Sequence, residues 1–468
     1  MTHQISSKST NKNRRVLVVG GGLGGLAAAA LLGRDGFSVS LYEKTHSLGG
    51  RAVCKRIAQH WLDSGFHSLR RADKGPAAFV LEKIGKPIEL ATKYSDGVVP
   101  KTYHNGRLAD SPLSARQLLF KYPLLTFIQK MHMMMLMQKI KKIPMDRLDH
   151  MTIAELLGAA KIHDKNILAH IKQMIAIAYY CEPNLDRISA GELARYLSRW
   201  PYDVGFPKGG WKQIIDKLQE AILENDGEIK IGKEVKRVLI SDNAGDMTKA
   251  TGVVFQDGMK EEADAVILNT PLSVVPRLLD KHYLPEKFMK AIDGGIETSG
   301  AVVMDVTVKK KDKSLIKYKA DSIITLDPCI IFRLNSKYDA SIAPEGHDLL
   351  SAWIPIDSIK SKDKEYVDAK FKELEEAIHA VFANLDDSST KIIRKMVFES
   401  AIGFYPSPAM TQPKRPSVIF PNVKNLYLVG DATDAAGIGG CSDIAFNSAL
   451  ECHRSIKNEN DSLQPIIV

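Results

Sequence analysis

The sequence predicts an α/β protein of two or three domains, or of two domains that interleave. The first observation is length, since 468 residues correspond to two or three domains at about 100 to 200 residues each. The second is composition, since 44% apolar and 25% charged residues are ordinary for a chain that buries a sizeable core. The third is a strand, a glycine-rich turn and a helix near the N-terminus, with similar strand-like segments far downstream.

The strand, turn and helix near the N-terminus carry the strongest local pattern. Residues 16–19 are an apolar run typical of a strand, and residues 26–32 are rich in Ala and Leu and typical of a helix. Between them, Gly20, Gly22 and Gly25 match G-x-G-x-x-G. In such a motif the first glycine permits a tight turn, the second admits a pyrophosphate and the third lets helix and strand pack closely. The pattern predicts a Rossmann-type dinucleotide site, with the anion at the helix N-terminus.

A second predicted strand, residues 37–42, ends in Glu43, which lies 23 positions after Gly20. An acidic side chain about 20 residues beyond the first glycine is placed to accept hydrogen bonds from a ribose diol. We therefore predict that Glu43 binds the ribose; the alternative is a surface carboxylate at a strand end.

Gly49, Gly50 and Arg51 follow directly, and the whole run from Val16 to Arg51 resembles the flavin-containing amine oxidase and phytoene desaturase superfamily. In that superfamily the second glycine pair lets another loop approach FAD, and ordinary nicotinamide dehydrogenases lack it. The resemblance implies a Rossmann-type FAD-binding domain with an interleaved α+β substrate domain, a glutathione-reductase-like FAD fold. It also implies non-covalent FAD, because residues 404–420, where an amine oxidase often carries a cysteine for attachment, contain none.

Far downstream, Gly430 and Asp431 end an apolar run, and a glycine-rich stretch at residues 437–440 follows. These resemble the closing FAD motif of the superfamily, in which Gly-Asp meets the ribityl-phosphate region. The glycines that open the next helix bring N–H groups to the pyrimidine edge of the flavin, where negative charge develops. Residues 206–211 and 263–271 resemble two intermediate segments, the second of them a strand that leaves the FAD domain. Residues 228–240 have the apolar spacing of a strand, and the backbone of Val235 matches the position that holds adenine.

The resemblance thus implies an FAD-binding domain built from residues 14–74, 206–271 and 421–456. Residues 75–205 and 272–420 are predicted to form the substrate domain, and residues 1–13 and 457–468 flexible tails. No metal site is predicted. The implied cofactor-binding residues are Gly20, Gly22, Leu23, Gly24, Gly25, Glu43, Lys44, Gly49, Gly50, Arg51, Val235, Gly430, Asp431, Gly437, Ile438, Gly439 and Gly440.

The implied reaction is removal of a hydride from a C–H bond of a small apolar substrate to flavin N5, with proton loss from the neighbouring atom and a new double bond. The ending of residues 437–440 is closer to the phytoene-dehydrogenase-like branch than to amine oxidases. An amine oxidase and a protoporphyrinogen-type oxidase stay open as alternatives. A prenyl-binding chaperone of the same fold is the non-enzymatic alternative, although it should lack an intact phosphate loop. With a single dinucleotide fingerprint, the expected electron acceptor is oxygen, a quinone or a redox protein.

Two side chains are candidates for catalysis. His67 follows the Gly-Gly-Arg loop and can orient substrate or move a proton. Glu182, beside Tyr179, Tyr180 and Cys181, is a candidate base. The alternatives are a structural histidine and, for the second cluster, core packing with one surface acid.

Residues 124–143 are unusual because they contain five of the fifteen methionines and end in a group of lysines. A plain buried helix, the lining of an apolar substrate site and a helix on a membrane surface are the alternatives. The stretch is too short and too interrupted to span a bilayer. The N-terminus carries no secretory pattern, and the formal net charge of +9 is too dilute for nucleic acid. We therefore expect a cytoplasmic protein, with membrane-surface contact through residues 124–143 as an option; the sequence predicts no oligomeric state.

Overall fold

The computed structural model describes residues 14–65, 68–242, 248–293, 297–310, 320–381, 390–440 and 442–457. Over these residues the strands are, in chain order, β1 (Arg15–Val19), β2 (Ser38–Glu43), β3 (Cys54–Ile57), β4 (His60–Asp63), β5 (Leu69–Arg70), β6 (Leu90–Lys93), β7 (Lys101–His104), β8 (Arg107–Asp110), β9 (Val204–Pro207), β10 (Glu228–Ile231), β11 (Val235–Ser241), β12 (Lys249–Phe255), β13 (Lys260–Glu262), β14 (Ala265–Leu268), β15 (Ser299–Lys309), β16 (Ser322–Thr325), β17 (Ile331–Leu334), β18 (His347–Ile356), β19 (Thr390–Ile402) and β20 (Leu426–Leu428).

The α-helices over the same residues are α1 (Leu23–Arg34), α2 (Pro76–Lys83), α3 (Ala115–Phe120), α4 (Phe127–Lys142), α5 (Met145–Asp149), α6 (Ile153–Ala159), α7 (Lys165–Tyr179), α8 (Ala190–Ser198), α9 (Trp211–Glu224), α10 (Val275–Leu278), α11 (Glu286–Asp293), α12 (Asn335–Tyr338), α13 (Lys364–Val381) and α14 (Ser442–Lys457).

A five-stranded parallel sheet in the order β10-β2-β1-β14-β20 organises the first half of the architecture. Apart from Arg15, every residue of its central strands β1 and β14 is buried, which explains why these strands are continuous apolar runs in the sequence. Helix α1 packs against both α9 and α14. Strands β11, β12 and β13 follow β10 and precede β14 in the chain, and they form a separate antiparallel sheet. This arrangement confirms the predicted α/β fold class.

The sheet draws its strands from three separated parts of the chain, at residues 15–43, 228–268 and 426–428. The domain boundaries themselves stay a prediction. Lys457, which the sequence interpretation assigned to the C-terminal tail, is the last residue of α14. Residues 1–13 and 458–468 lie outside the described residues.

One predicted element divides in two. The apolar pattern over residues 228–240 indicates a single strand, but the structure has β10 and β11 with Gly232 between them. Gly232 has a φ of +68°, a conformation that side chains with a Cβ rarely adopt. The chain therefore leaves the parallel sheet at this glycine and enters the antiparallel one.

A seven-stranded mixed sheet in the order β19-β15-β18-β17-β16-β7-β8 forms the second half. Helix α13 packs on it through Leu374 and Ile378, which join a buried cluster with β15 and β18. Helices α3 to α8 lie in sequence between β8 and β9. Of the helices in the described residues, none is long and apolar enough to cross a membrane.

Candidate FAD and substrate site

The glycine turn begins where β1 ends. Gly20 donates its N–H to the carbonyl of Tyr42 at 2.7 Å, which fixes the turn against the end of β2. Gly20 has a φ of +106°, and a Cβ there would lie 2.2 Å from the carbonyl oxygen of Asn269. Conformation and space both require glycine at this position.

Helix α1 begins at the turn with an open N-terminus. Gly22 is its N-cap, no side chain caps it, and the first turn holds no acidic residue. Leu23 and Gly24 open the helix, and Gly25 packs so closely that a Cβ would lie 2.2 Å from the carbonyl oxygen of Gly20. Such a terminus presents N–H groups and the positive end of the helix dipole to an anion.

Glu43 lies beside this turn at the end of β2. One of its carboxylate oxygens accepts the N–H of Gly21 at 2.8 Å, and the other accepts the N–H of Thr45 at 2.8 Å. An ionised carboxylate has about four acceptor sites, so these bonds orient the group and leave capacity for hydroxyl donors. The arrangement suits a ribose diol, whereas the neighbouring Lys44 is exposed.

The second glycine pair contacts the first motif directly. Gly49 donates its N–H to the carbonyl of Gly21 at 2.7 Å, and Gly49 and Gly22 form a parallel bridge. A Cβ on Gly50 would lie 3.2 Å from the Cα of Gly22. The two loops thus form one backbone surface at the N-terminus of α1.

The same region is joined to the C-terminal motif by an ion pair between Arg51 and Asp431. The second carboxylate oxygen of Asp431 accepts the N–H of Gly403 at 2.9 Å. Gly430 donates its N–H to the hydroxyl of Ser448 at 2.9 Å. These bonds place two residues that are 380 positions apart in one corner of the site.

Val235 is the buried first residue of β11, paired with Phe255. Close by, Lys233 donates its N–H to the carbonyl of Glu43 at 3.0 Å. The backbone of Val235 therefore lies near the end of β2, on the side of the site where Glu43 stands.

The glycine-rich loop at residues 437–440 lies at the opposite end of the site, against the end of α7. Gly439 has a φ of +61°, and Arg199 donates a hydrogen bond to the carbonyl of Gly437. From the sequence, the N–H groups near Gly439 and Gly440 are predicted to bind the pyrimidine edge of the flavin. The structure corrects this for Gly440, because its N–H is donated to the carbonyl of Ala178 at 3.0 Å.

Arg70, which the sequence interpretation missed, holds this loop in place. Its buried guanidinium donates to the carbonyl of Ile438 and, at 2.9 Å each, to the carbonyls of Ile177 and Ala178. The last two belong to the C-terminal turn of α7, where carbonyl groups lack helical partners and a cation is favourable. No local sequence pattern marks Arg70, because its partners lie more than 100 positions away.

Asn269 and Asp443 are two further polar side chains that the sequence interpretation did not assign. The Asn269 amide donates to the carbonyl of Val429 at 2.9 Å and packs against Gly20, Gly22 and Gly24. Its position directly after β14 is a usable signal, because ligands bind at the carboxyl ends of parallel strands.

Asp443 lies in the first turn of α14 and is buried. Burial raises its pKa to about 6, although the nearby positive charges of Arg70 and Arg71 act in the opposite direction. This carboxyl group therefore keeps its proton at mildly acidic pH and is mostly ionised at pH 7.

A cavity of about 190 Å³ lies beside Arg70. Its wall is mostly apolar and aromatic, with contributions from α3, α4, α7 and α8. The wall includes Leu118, Tyr122, Leu125, Met133, Met137, His170 and Arg333.

Of the two candidates for catalysis, the structure describes only Glu182, and it does not lie at this cavity. His67 lies outside the described residues. Glu182 has an exposed side chain and lines a different depression, together with Asp327 and Lys360. Its carbonyl accepts the hydroxyl of Tyr405 at 3.2 Å, and the chain turns its side chain outward after buried Cys181. The structure therefore does not support Glu182 as a base for chemistry beside Arg70.

Comparison with known proteins decides the family. The family model for flavin containing amine oxidoreductases matches residues 23–454, which is nearly the whole chain. The chain belongs to this family. A zeta-carotene-forming phytoene desaturase of Myxococcus xanthus is 25% identical and aligns over 91% of both chains. A 4,4'-diaponeurosporene oxygenase of Staphylococcus haemolyticus is 23% identical, over 77% of this chain and 79% of the relative.

Solved structures share the fold of this flavin oxidoreductase. An oxidoreductase from Methanosarcina mazei superposes with a TM-score of 0.74 at 20% identity, covering 95% of this chain and all of the other. Cyclohexylamine oxidase from Brevibacterium oxydans superposes with a TM-score of 0.70 at 14% identity, covering 96% and 100%.

The protein is an FAD-dependent oxidoreductase, and the residues present fit that cofactor. At Gly20 and Gly25 a Cβ would collide with backbone oxygens, and at Gly22 with the amide oxygen of Asn269. Only a glycine backbone leaves this surface open to a diphosphate. The uncapped N-terminus of α1 suits the diphosphate, and the carboxylate of Glu43 suits the ribose hydroxyl groups.

Proposed function

We propose that this enzyme dehydrogenates an uncharged, apolar segment of its substrate, removing a hydride and a proton from neighbouring atoms to form a double bond. The observation that carries the proposal is the apolar cavity beside Arg70, which shares that arginine with the glycine-rich loop at residues 437–440. FAD, when bound, supplies the hydride acceptor.

The wall of the cavity favours an apolar substrate over a protonated amine. Among the described residues that line it there are two arginines, Arg70 and Arg333, and no carboxylate. An ammonium group entering this wall would face positive charge without a counter-ion and at low dielectric. Apolar groups contribute about 0.8 kcal/mol for each buried CH₂, and Met133 and Met137 supply adaptable surface for them.

The size of the cavity indicates that it receives one segment of the substrate. Its volume of about 190 Å³ is below the roughly 300 to 1,000 Å³ of a typical small-molecule site. A long chain would place its reacting C–H bond here and extend the rest of its length elsewhere.

His170 is the side chain of the described wall best suited to accept the proton. Its Nδ1 lies 2.7 Å from the carbonyl of Asn166 and its Nε2 lies 2.9 Å from the hydroxyl of Tyr122. The carbonyl requires a proton on Nδ1, so Nε2 is the acceptor of the neutral ring. Burial lowers the pKa of His170, which keeps the ring neutral at pH 7. Arg70 positions the loop. Because the Tyr122 O–H occupies the lone pair of Nε2, the substrate proton would pass to the Tyr122 oxygen as that hydroxyl gives its own proton to Nε2.

The test is anaerobic bleaching of the flavin in the purified yellow protein by a polyene hydrocarbon, an alkyl amine and a porphyrinogen. We expect the polyene to bleach it and the amine not to, and we expect denaturation to release free FAD. Bleaching by the amine alone would replace this proposal with amine oxidation. A colourless protein that takes up no added FAD would favour the binding protein without redox activity. His170→Gln should slow bleaching while FAD content stays unchanged.

Oxidation of a porphyrinogen is a second candidate. Arg70 and Arg333 in the wall would complement carboxylates carried by such a substrate. Bleaching by the porphyrinogen and not by the polyene would select it. Mixing the bleached protein with oxygen or with a quinone then separates these acceptors, and no reaction with either would favour a redox protein.

A further inference from the structure

The three most exposed large apolar side chains of the described residues lie together, at the end of α3 and the start of α4. Phe120 is 79% exposed, Phe127 is 74% exposed and Ile128 is 67% exposed. Met131 and Met135 continue the same surface along α4 at spacings of three and four residues, which lie on one side of a helix. We call these five side chains the α4 outer face.

The chain around this face carries basic residues and no acidic ones. Residues 111–145 contain six Lys and Arg and no Asp or Glu, so they carry +6 of a formal net charge of +9 for the whole chain. Lys121, Lys141 and Lys142 are exposed and form no ion pair with a described residue. Asp164, the carboxylate that contacts α4 through Gln129, also caps α7, so its acceptors are in use.

The opposite side of α4 lines the substrate cavity. Met133 is buried, and Met133 and Met137 belong to the cavity wall, as do Leu118 of α3 and Leu125 just before α4. One helix diameter of about 10 Å therefore separates the α4 outer face from the cavity. Helix α4 therefore carries apolar side chains on two sides. One side packs against the core and the cavity wall, and the other side is exposed.

We propose that the α4 outer face docks on an anionic lipid surface. A membrane fits both observations, because aromatic and aliphatic side chains enter the acyl boundary while lysines meet anionic headgroups. Soluble monomers rarely expose a contiguous apolar patch, and a cluster of exposed Phe, Ile and Met is typical of a protein or membrane contact. In combination with the proposed function, on which this last step rests, docking brings the cavity within one helix of the phase in which apolar substrates dissolve.

The experiment is cosedimentation of the FAD-loaded protein with vesicles of phosphatidylcholine alone and of phosphatidylcholine containing phosphatidylserine. One variant combines Phe127→Gln with Ile128→Gln, which keeps helix propensity while removing apolar surface. A second combines Lys141→Gln with Lys142→Gln. The matched control is Ile359→Gln, since Ile359 is 66% exposed and lies outside α3 and α4. Flavin absorbance of each variant reports that it is folded.

We expect the wild type to sediment with the anionic vesicles and to be released by high salt. The Phe127/Ile128 variant should lower the partition coefficient at least about tenfold, and the lysine variant by a similar factor. Ile359→Gln should bind as the wild type does. The proposal is overturned if the wild type stays in solution with both vesicles, or if the two α4 variants bind as strongly as the control.

A second copy of the chain is the competing occupant. If the wild type ignores vesicles and elutes as a dimer that the Phe127/Ile128 variant dissociates, the face is a protein interface and the proposal is overturned. Because cosedimentation needs no turnover, a polyene that fails to bleach the flavin counts against the proposed substrate and leaves the docking result standing.

Discussion

The phosphate-binding end of the molecule and the substrate cavity are built in opposite ways. At the phosphate end, Gly20, Gly22 and Gly25 bring backbone into contact with backbone, and a missing Cβ creates the space. At the cavity, side chains from α3, α4, α7 and α8 supply the wall, and one buried arginine, Arg70, fixes the adjoining loop.

The difference teaches which kind of site a sequence reveals. A backbone site depends on glycines at fixed spacing, because each performs its task through local conformation. A side-chain wall depends on which helices meet, and its residues share no spacing. A backbone site can therefore be found from a sequence motif, whereas a side-chain wall is recognised only in the folded structure. Four changes test this contrast, from the largest expected effect to the smallest.

Gly20→Ala should abolish FAD binding. The new Cβ would lie 2.2 Å from the carbonyl oxygen of Asn269, at a φ of +106°. We expect an affinity loss of at least about a hundredfold, roughly 3 kcal/mol, measured by the flavin absorbance of the purified protein. Gly85→Ala is the matched control, because Gly85 has a φ of +78° and open space around it. Equal flavin content in the two variants would contradict the steric explanation.

Met133→Ala and Met135→Ala compare the two sides of α4. Met133 is 5% exposed and Met135 is 55% exposed. We expect Met133→Ala to lower the free energy of unfolding by about 3 kcal/mol through the cavity it leaves, and Met135→Ala to change it by about 0.5 kcal/mol or less. Urea unfolding of the FAD-loaded variants measures both. Similar losses would mean that the outward side of α4 is covered in solution.

Glu43→Ala should weaken FAD binding by about tenfold to a hundredfold, or roughly 1.5 to 3 kcal/mol, because charged hydrogen bonds to the ribose are lost. Titration of the apoprotein with FAD measures it. Glu43→Gln, which retains one acceptor oxygen for Gly21 or Thr45, should lose less. Unchanged affinity in the alanine variant would show that the carboxylate only orders the turn.

Asp443→Asn should flatten the pH dependence of stability. The folded chain holds the proton of Asp443 up to about pH 6, whereas the unfolded chain releases it near 3.8. The free energy of unfolding therefore falls as pH rises between these values and is constant above them. Relative to the wild type, the variant should gain about 2 kcal/mol between pH 4.5 and 7.5, as thermal unfolding at the two pH values would show. A constant difference between variant and wild type would contradict the raised pKa.

The elements that the sequence predicted well are the ones governed by local rules. Strands β1, β2 and β14 and the start of α1 lie where the apolar runs and glycines predicted them, because a buried parallel strand and a glycine turn each have a recognisable pattern. The single strand predicted across Gly232 was wrong for a non-local reason. The apolar pattern continues through the break, but its two halves join different sheets.

The methionine-rich stretch shows where pattern alone stops. The sequence left a buried helix, a cavity lining and a membrane-surface helix as alternatives for residues 124–143. The structure places Met133 and Met137 in the cavity wall and leaves Met131 and Met135 exposed. One side of the helix therefore fits a cavity lining, and the other side fits a surface helix. The sequence shows the helical spacing of these side chains. Which side of the helix is buried depends on the elements that pack against it, and the sequence alone does not reveal them.

By itself the sequence determined the fold class, the family and the cofactor, because a diphosphate is bound by backbone and backbone access is encoded by glycine. The tertiary structure alone decided the role of Arg70, the composition of the cavity wall, the occupied N–H of Gly440 and the outward position of Glu182. Each of these depends on contacts between residues far apart in the chain. Such contacts are selected by packing of the whole core, and no short segment carries them.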